Sequence, residues 1–367
     1  MYKYILLCTL FLFTNCKTKS VSISPNQEDQ IEQTKKDYTN YIYQRTKDLP
    51  VNTELSIAIL QDGQKEFIGI KRIQDTIEIV ENKNKIFEIG SISKVFTSTL
   101  LAEFVSYQKL KLEVPIQKYL EFPINLREPI NFLQLSNHSS GLPRMPDNFN
   151  QYATDMFNPY KDYGENELKE YLSKKITLQS IPGEVSNYSN LGAGLLGYVL
   201  TKISDKGYND LLSEYIYSKY NMVNTTCIGD DIQGEIVSPL DTKGNPVSHW
   251  DFNVLAPAGG IFSNISDMAK FAEAQLDPKY KALQLTHQKT ISVNDNLDVG
   301  LGWHILKNQN SNDWLWHNGG TGGFTTSMAV DVSNQKAVIV LSNCSTFNEN
   351  HQNIDLLCFK LLNEISN

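Results

Sequence analysis

The sequence predicts an α/β fold: an antiparallel sheet built from both chain ends and flanked by helices, with a mostly helical domain inserted. Three observations carry this. Strand-like runs lie near the start, at Glu54–Leu60 and Phe67–Ile70. Strand-like runs return after residue 290. Between them the patterns are mainly helical, joined by Pro-, Gly- and Asn-rich loops. Both ends can share one sheet only if the chain returns to where it began. The expected division is 31–115 with 290–367 for the α/β part and 116–289 for the insert. The 367 residues suffice for one large domain or two interleaved ones.

The elements follow in order. Met1–Lys3 gives a short positive start, and Tyr4–Phe13 is apolar apart from Thr9. That run is too short to span a membrane and fits the core of a signal peptide over 1–16. It ends at Cys16 and resembles a bacterial lipobox, with Asn15 where a small residue is usual. The resemblance implies cleavage at Cys16, its lipidation, export, and a periplasmic protein held to a membrane by lipid. Residues 17–30 are polar and read as a flexible tether. Glu28–Asp48 has helical spacing and stops before Pro50. Asp62-Gly63 is the turn of a hairpin, and Lys85–Ile89 is another short strand-like run. From Ser91 to Gln108 the pattern is helical, with Val95, Leu100, Leu101 and Phe104 on one side. Leu191–Ile203 and Ile265–Leu276 are helical in the middle. Gly300–Leu306, Trp314–His317, Thr325–Asp331 and Lys336–Ser342 read as strands. Glu349–Ile365 closes the chain as an amphipathic helix.

Composition narrows the function classes. A formal net charge of −8, with no dense run of Lys and Arg, gives no footprint for nucleic acid. Of five cysteines, Cys227, Cys344 and Cys358 lie beyond the leader, an odd and widely spaced set. They fit neither a disulfide framework nor a zinc pattern and read as buried apolar residues, with a Cys344–Cys358 pairing left open. H-E-x-x-H, G-x-S-x-G, P-loop and Rossmann patterns are all missing.

Three short motifs carry chemistry. Ser91-Ile92-Ser93-Lys94 is an S-x-x-K tetrad at a helix start. Positions i and i+3 face the same way, so Lys94 can lie beside the Ser91 hydroxyl. A lysine kept neutral by burial can take that proton. Tyr188-Ser189-Asn190 opens an apolar helix. A tyrosine between cations can have a lowered pKa and shuttle a proton, and Asn190 can orient a lysine and a substrate amide. His317-Asn318-Gly319-Gly320 ends a strand. Its glycines let a substrate backbone approach, and the Gly320 N–H can join that of Ser91 as an oxyanion hole. His317 can bond the tyrosine or a substrate carboxylate. Each motif alone has a plain reading as a capped helix, a packing tyrosine or a hairpin turn. His138 and His304 read as structural.

Together the motifs resemble those of β-lactamase-related serine hydrolases: class C β-lactamases, serine DD-carboxypeptidases and family VIII esterases. Ile86–Thr97 resembles the segment around the family nucleophile; Tyr188-Ser189-Asn190 stands for Tyr-x-Asn and His317-Asn318-Gly319 for Lys/His-x-Gly. Leu135–Pro143, Pro257–Phe271 and Val299–Trp303 agree as well, so the resemblance covers nearly all of residues 50–345.

The resemblance implies a β-lactamase/DD-peptidase-like fold and acyl transfer through Ser91, with no metal or organic cofactor. Lys94 or Tyr188 would be the acylation base, and Tyr188 would protonate the leaving group. The substrate class stays open among a β-lactam, a D-amino-acid peptide and an ester. His317 replaces the fixed cation of Lys-x-Gly, and a neutral histidine attracts a carboxylate more weakly. A non-catalytic penicillin- or peptidoglycan-binding protein is the remaining alternative.

Overall fold

The computed structural model describes residues 38–307 and 312–366; the leader and tether, with Cys16, lie outside the described residues. β1 (Glu54–Gln61) and β2 (Gln64–Ile73) form the expected hairpin. Asp62 and Gly63 both have positive φ, the geometry that a two-residue turn needs to match strand twist. β3 (Thr76–Ile79) extends that edge. β4 (Phe87–Glu88) and β5 (Phe262–Ser263) make a separate two-stranded sheet.

The other strands are β6 (Ile291–Asn294), β7 (Leu297–Val299), β8 (His304–Leu306), β9 (Trp314–Gly320), β10 (Thr325–Asp331) and β11 (Lys336–Ser342). The main sheet has nine strands in the order β3-β2-β1-β11-β10-β9-β8-β7-β6. The two chain ends meet where β1 pairs antiparallel with β11, in the register Leu55↔Ser342 to Leu60↔Ala337.

Helix α1 runs over 38–46. The others are α2 (Ser93–Ser106), α3 (Phe132–Ser136), α4 (Phe149–Tyr152), α5 (Glu165–Glu170) and α6 (Asn190–Ser204). Then come α7 (Tyr208–Leu212), α8 (Ala256–Gly259), α9 (Ile265–Leu276), α10 (Lys281–Thr286) and α11 (Asn353–Ser366). Helix α9 belongs to the 116–289 stretch, yet it packs on β1, β10 and β11 of the main sheet.

The central strands are buried on both faces, which explains why β11 reads as an unbroken apolar run. Ala337, Ile339 and Leu341 face the core shared with α2 and α9. The alternate residues Val338 and Val340 point the other way, where α11 packs on β10 and β11. Ile354, Leu357, Cys358, Leu361 and Leu362 of α11 are fully buried, the face that the spacing predicts.

Several local readings change. Helix α2 is buried from Ser93 through Phe104 rather than along one stripe, because α3, α6, α7, α8 and α10 surround it. Its Glu103 is tolerated there through an ion pair with Lys219 at 2.5 Å. The run Gly300–Leu306 is strand only from His304. Gly302 has φ +73 and sits so close to α2 that a Cβ would lie 2.6 Å from Ser98 Oγ. Lys85–Ile89 supplies β4, outside the main sheet. The sequence patterns do not reveal β3, β6 and β7; β3 and β6 are largely exposed edge strands without clean alternation. The thiols of Cys227, Cys344 and Cys358 are free.

Candidate active site

Ser91 lies in a 3₁₀ turn, Gly90–Ile92, that leads into α2. The end of β9 presses against this turn. Gly90 has φ +53, and a Cβ there would lie 2.5 Å from the Gly320 nitrogen. A Cβ on Gly319 would collide with the Ile89 carbonyl oxygen, and one on Gly320 with the Thr346 side chain. The Gly-Gly pair thus lets a strand seat itself on the serine turn. Thr326 Oγ1 ties the same place, donating to Ile89 O at 2.9 Å. Ser93 does not cap the helix; its Oγ accepts from Ile261 N–H at 3.1 Å.

Lys94 Nζ is 3.0 Å from Ser91 Oγ and 2.6 Å from the carbonyl oxygen of Ala258. Lys94 is buried, and no carboxylate among the described residues pairs with it. Burial therefore drives its pKa well below the usual lysine value, and the nearby Arg144 charge pushes the same way.

The ladder of β9 aims its N–H groups. Thr321 N–H donates to Phe324 O at 2.9 Å and closes the β9–β10 hairpin. In an antiparallel ladder bonding residues alternate, so Gly319 and His317 bond β10 while Gly320 and Asn318 face the other edge. On that edge β8 pairs no further than Trp316. The Gly320 N–H therefore points toward the serine turn. The Ser91 N–H belongs to the first turn of the helical segment, whose donors have no intrahelical partner. The strand runs through Gly320, so the expected end at His317 moves by three residues.

Tyr188 stands between two basic side chains: Lys94 Nζ is 4.7 Å from its ring centroid and the Arg144 guanidinium 5.0 Å. The anticipated lowering of its pKa is reversed. Burial raises it, and the hydrogen bond with Ser91 and the Arg144 charge offset this only in part. The phenol is therefore protonated. Three histidines surround it, with ring centroids at 4.7 Å for His138, 6.2 Å for His317 and 6.4 Å for His304. His304 stacks on His317 at 5.1 Å. All three are held neutral chiefly by burial, His304 at a pKa of about 4. His317 Nδ1 bonds the Asn318 carbonyl at 2.6 Å, while its buried Nε2 has no partner.

Asn190 follows on α6, capped by Ser189, whose Oγ accepts from Gly192 N–H at 2.8 Å. The Asn190 amide nitrogen turns to Met145 Sδ at 3.4 Å and Tyr160 Oη at 3.5 Å rather than to Lys94. Its buried Oδ1 has no partner. Tyr160 stacks on Phe252 with centroids 4.2 Å apart and lies 5.4 Å from Trp250. Phe252 packs against Gly259 and Gly260, beside the Ala258 carbonyl that holds Lys94. Glu88 accepts from Trp250 N–H at 2.6 Å, and burial raises its pKa to about 8.

The fold thus gathers Ser91, Lys94, Tyr188, His317, Gly319 and Gly320 at one place, with Asn190 on the adjoining helix start. Sequence reasoning missed His304, Arg144, Ala258 and the aromatic wall. Only the β8–β9 register, His304↔Trp316, brings His304 beside His317. Among the described residues no cluster of His, Cys, Asp or Glu is placed to hold a metal ion.

A family model described as "Beta-lactamase" matches residues 53–359. The D-alanyl-D-alanine-carboxypeptidase/endopeptidase AmpH of Escherichia coli is 25% identical over 302 residues, covering 76% of each chain. A beta-lactamase of Pseudomonas fluorescens is 26% identical over 262 residues, covering 68% of this chain and 69% of its own. The crystal structure of a beta-lactamase/D-alanine carboxypeptidase from Pseudomonas syringae superposes with a TM-score of 0.74 at 20% identity. That match covers 91% of this chain and 99% of the other. With the family model spanning most of the chain and the same fold in these neighbours, the protein belongs to the beta-lactamase family.

Proposed function

We propose that the protein is an exported serine hydrolase that cleaves an amide, a β-lactam or a D-amino-acid peptide, through an acyl-enzyme on Ser91. The observation that carries this is the buried Lys94 amine 3.0 Å from the Ser91 hydroxyl. Lys94 takes the Ser91 proton as Oγ bonds to the substrate carbonyl carbon. The Ser91 and Gly320 N–H groups receive the negative charge on the carbonyl oxygen. Tyr188, protonated, gives its proton to the leaving nitrogen as the acyl bond breaks, and the Lys94 ammonium can restore that proton. Water then attacks the ester, and Ser91 regains its hydroxyl. We assign the base to Lys94 rather than Tyr188, since burial lowers the pKa of the amine well below the usual lysine value and raises that of the phenol.

A carboxylesterase is the second reading, favoured by one observation. His317 is neutral and gives no fixed charge for a substrate carboxylate at the third motif. Hydrolysis of nitrocefin, a D-Ala-D-Ala peptide and p-nitrophenyl butyrate by the purified protein ranks the readings. Amide or β-lactam turnover above ester turnover supports the first; ester turnover alone supports the second. Penicillin bound without turnover would favour a binding protein over both.

Export and anchoring rest on the Tyr4–Cys16 segment. Metabolic labelling with a palmitate analogue should mark the wild type and not Cys16→Ala; equal labelling of both overturns the anchor.

A further inference from the structure

We propose that Arg144 is the carboxylate-recognising residue of this site and that the preferred substrate carries an acidic group. This rests on the acyl-transfer reading with Ser91 as nucleophile.

The first observation is charge. Lys94 and the three histidines around Tyr188 are all pushed toward their neutral forms by burial. Among the described residues around Tyr188, Arg144 is the group whose charge is fixed, because a guanidinium does not deprotonate in proteins. The second is availability. Arg144 is exposed, and none of the ion pairs among the described residues involves it. Its contact is the Tyr188 ring, which leaves the N–H fork free for a carboxylate.

The third is rigidity. The Arg144 carbonyl accepts from Asn190 N–H at 3.0 Å and Leu191 N–H at 3.2 Å. The Pro143 carbonyl accepts from Ser189 Oγ at 2.7 Å. Gly141, at φ +72, lies so close to Ser180 that a Cβ would strike its carbonyl oxygen. The loop bearing Arg144 is therefore bound to the turn that bears Tyr188 and Asn190, which fixes the backbone from which the guanidinium reaches the Tyr188 ring. A positioned charge of this kind raises selectivity for acids at little ordering cost. It supplies from another loop the cation that the third motif lacks.

Two matched pairs test this. Mono-p-nitrophenyl glutarate against p-nitrophenyl valerate places the charge on the acyl part. Acetyl-D-Ala-D-Ala against its C-terminal amide places it on the leaving part. The readout is the ratio of kcat/KM within each pair for wild type, Arg144→Lys and Arg144→Gln. Both members of a pair use the same Lys94, so any effect of Arg144 on Lys94 cancels in the ratio. The wild type should prefer the acid in at least one pair, and Arg144→Gln should cut that preference roughly tenfold or more. Arg144→Lys should keep more of it. Unchanged ratios in Arg144→Gln overturn the assignment. So does a wild type that prefers the neutral member in both pairs. Fluorophosphonate labelling separates the two levels. Labelling at Ser91 without acid preference overturns Arg144 alone; no labelling at Ser91 overturns the acyl-transfer reading and this assignment with it.

Discussion

Two lysine environments in this protein differ in one physical respect. Lys94 is buried beside Ser91, bonded to a hydroxyl and a carbonyl but to no carboxylate. Lys169 and Lys202 lie on the surface, 2.7 and 2.9 Å from Glu165 Oε1, each more than a third exposed. In the surface pairs Glu165 is held down to a pKa of about 2, led by its hydrogen bond with Lys169. The buried lysine loses hydration without gaining an opposite charge, so its pKa is driven well below the usual lysine value. One side chain type thus sits beside a hydroxyl without a counter-ion in one place and in solvated ion pairs in the other. Burial without a counter-ion makes the difference.

The largest effects should come from breaking the buried side. Ser91→Ala and Lys94→Met should each lower kcat by roughly 10³-fold or more, measured on whichever substrate turns over best. Lys202→Met should leave kcat within about twofold, since a surface pair carries little energy. Next is the seat of β9. Gly319→Ala forces a Cβ onto the Ile89 carbonyl oxygen and should displace the Gly320 N–H. A loss of roughly 10²-fold in kcat is expected, of the order of one oxyanion donor. Denaturant unfolding should show a stability loss of about 1–3 kcal/mol.

The pH dependence sharpens the contrast. The proposed mechanism needs neutral Lys94, so kcat/KM should fall about tenfold per pH unit below the Lys94 pKa. Arg144→Gln removes a charge that disfavours the ammonium, so the acid limb should move to higher pH. Stability has its own sign. The folded pKa of Lys94 lies below the unfolded one, so between the two values the unfolded chain binds more protons. Stability therefore falls as pH drops through that window, and at neutral pH Lys94 costs stability. Lys94→Met should raise stability by about 0.5–2 kcal/mol while abolishing turnover.

The smallest effect belongs to Glu165. Its stabilisation is fully present above pH 4.5 and is lost as pH falls through about 2. Exposure and salt screen it, so Glu165→Gln should cost under about 1 kcal/mol at pH 7, less at high salt.

The chemistry was more legible in the sequence than its setting. Ser91 and Lys94 share a helix start, so spacing alone put their side chains together. The pairing of both chain ends was legible because central strands such as β11 are dense apolar runs. Edge strands β3 and β6 were hidden, since exposed strands need no apolar pattern. His304 joins the site only through strand register, and Arg144 only through a loop folded onto Ser189 and Asn190. The direction of the Tyr188 shift depended on burial, which sequence does not display: the two basic side chains are present, but burial of the phenol outweighs them and disfavours the charge on Lys94 as well.

The most direct measurement is NMR titration of lysine side chains in protein labelled with ¹⁵N and ¹³C lysine, with Lys94→Met assigning the signal. The account predicts one amine that titrates well below the surface lysines and vanishes in Lys94→Met. A Lys94 signal titrating in the ordinary lysine range would contradict it.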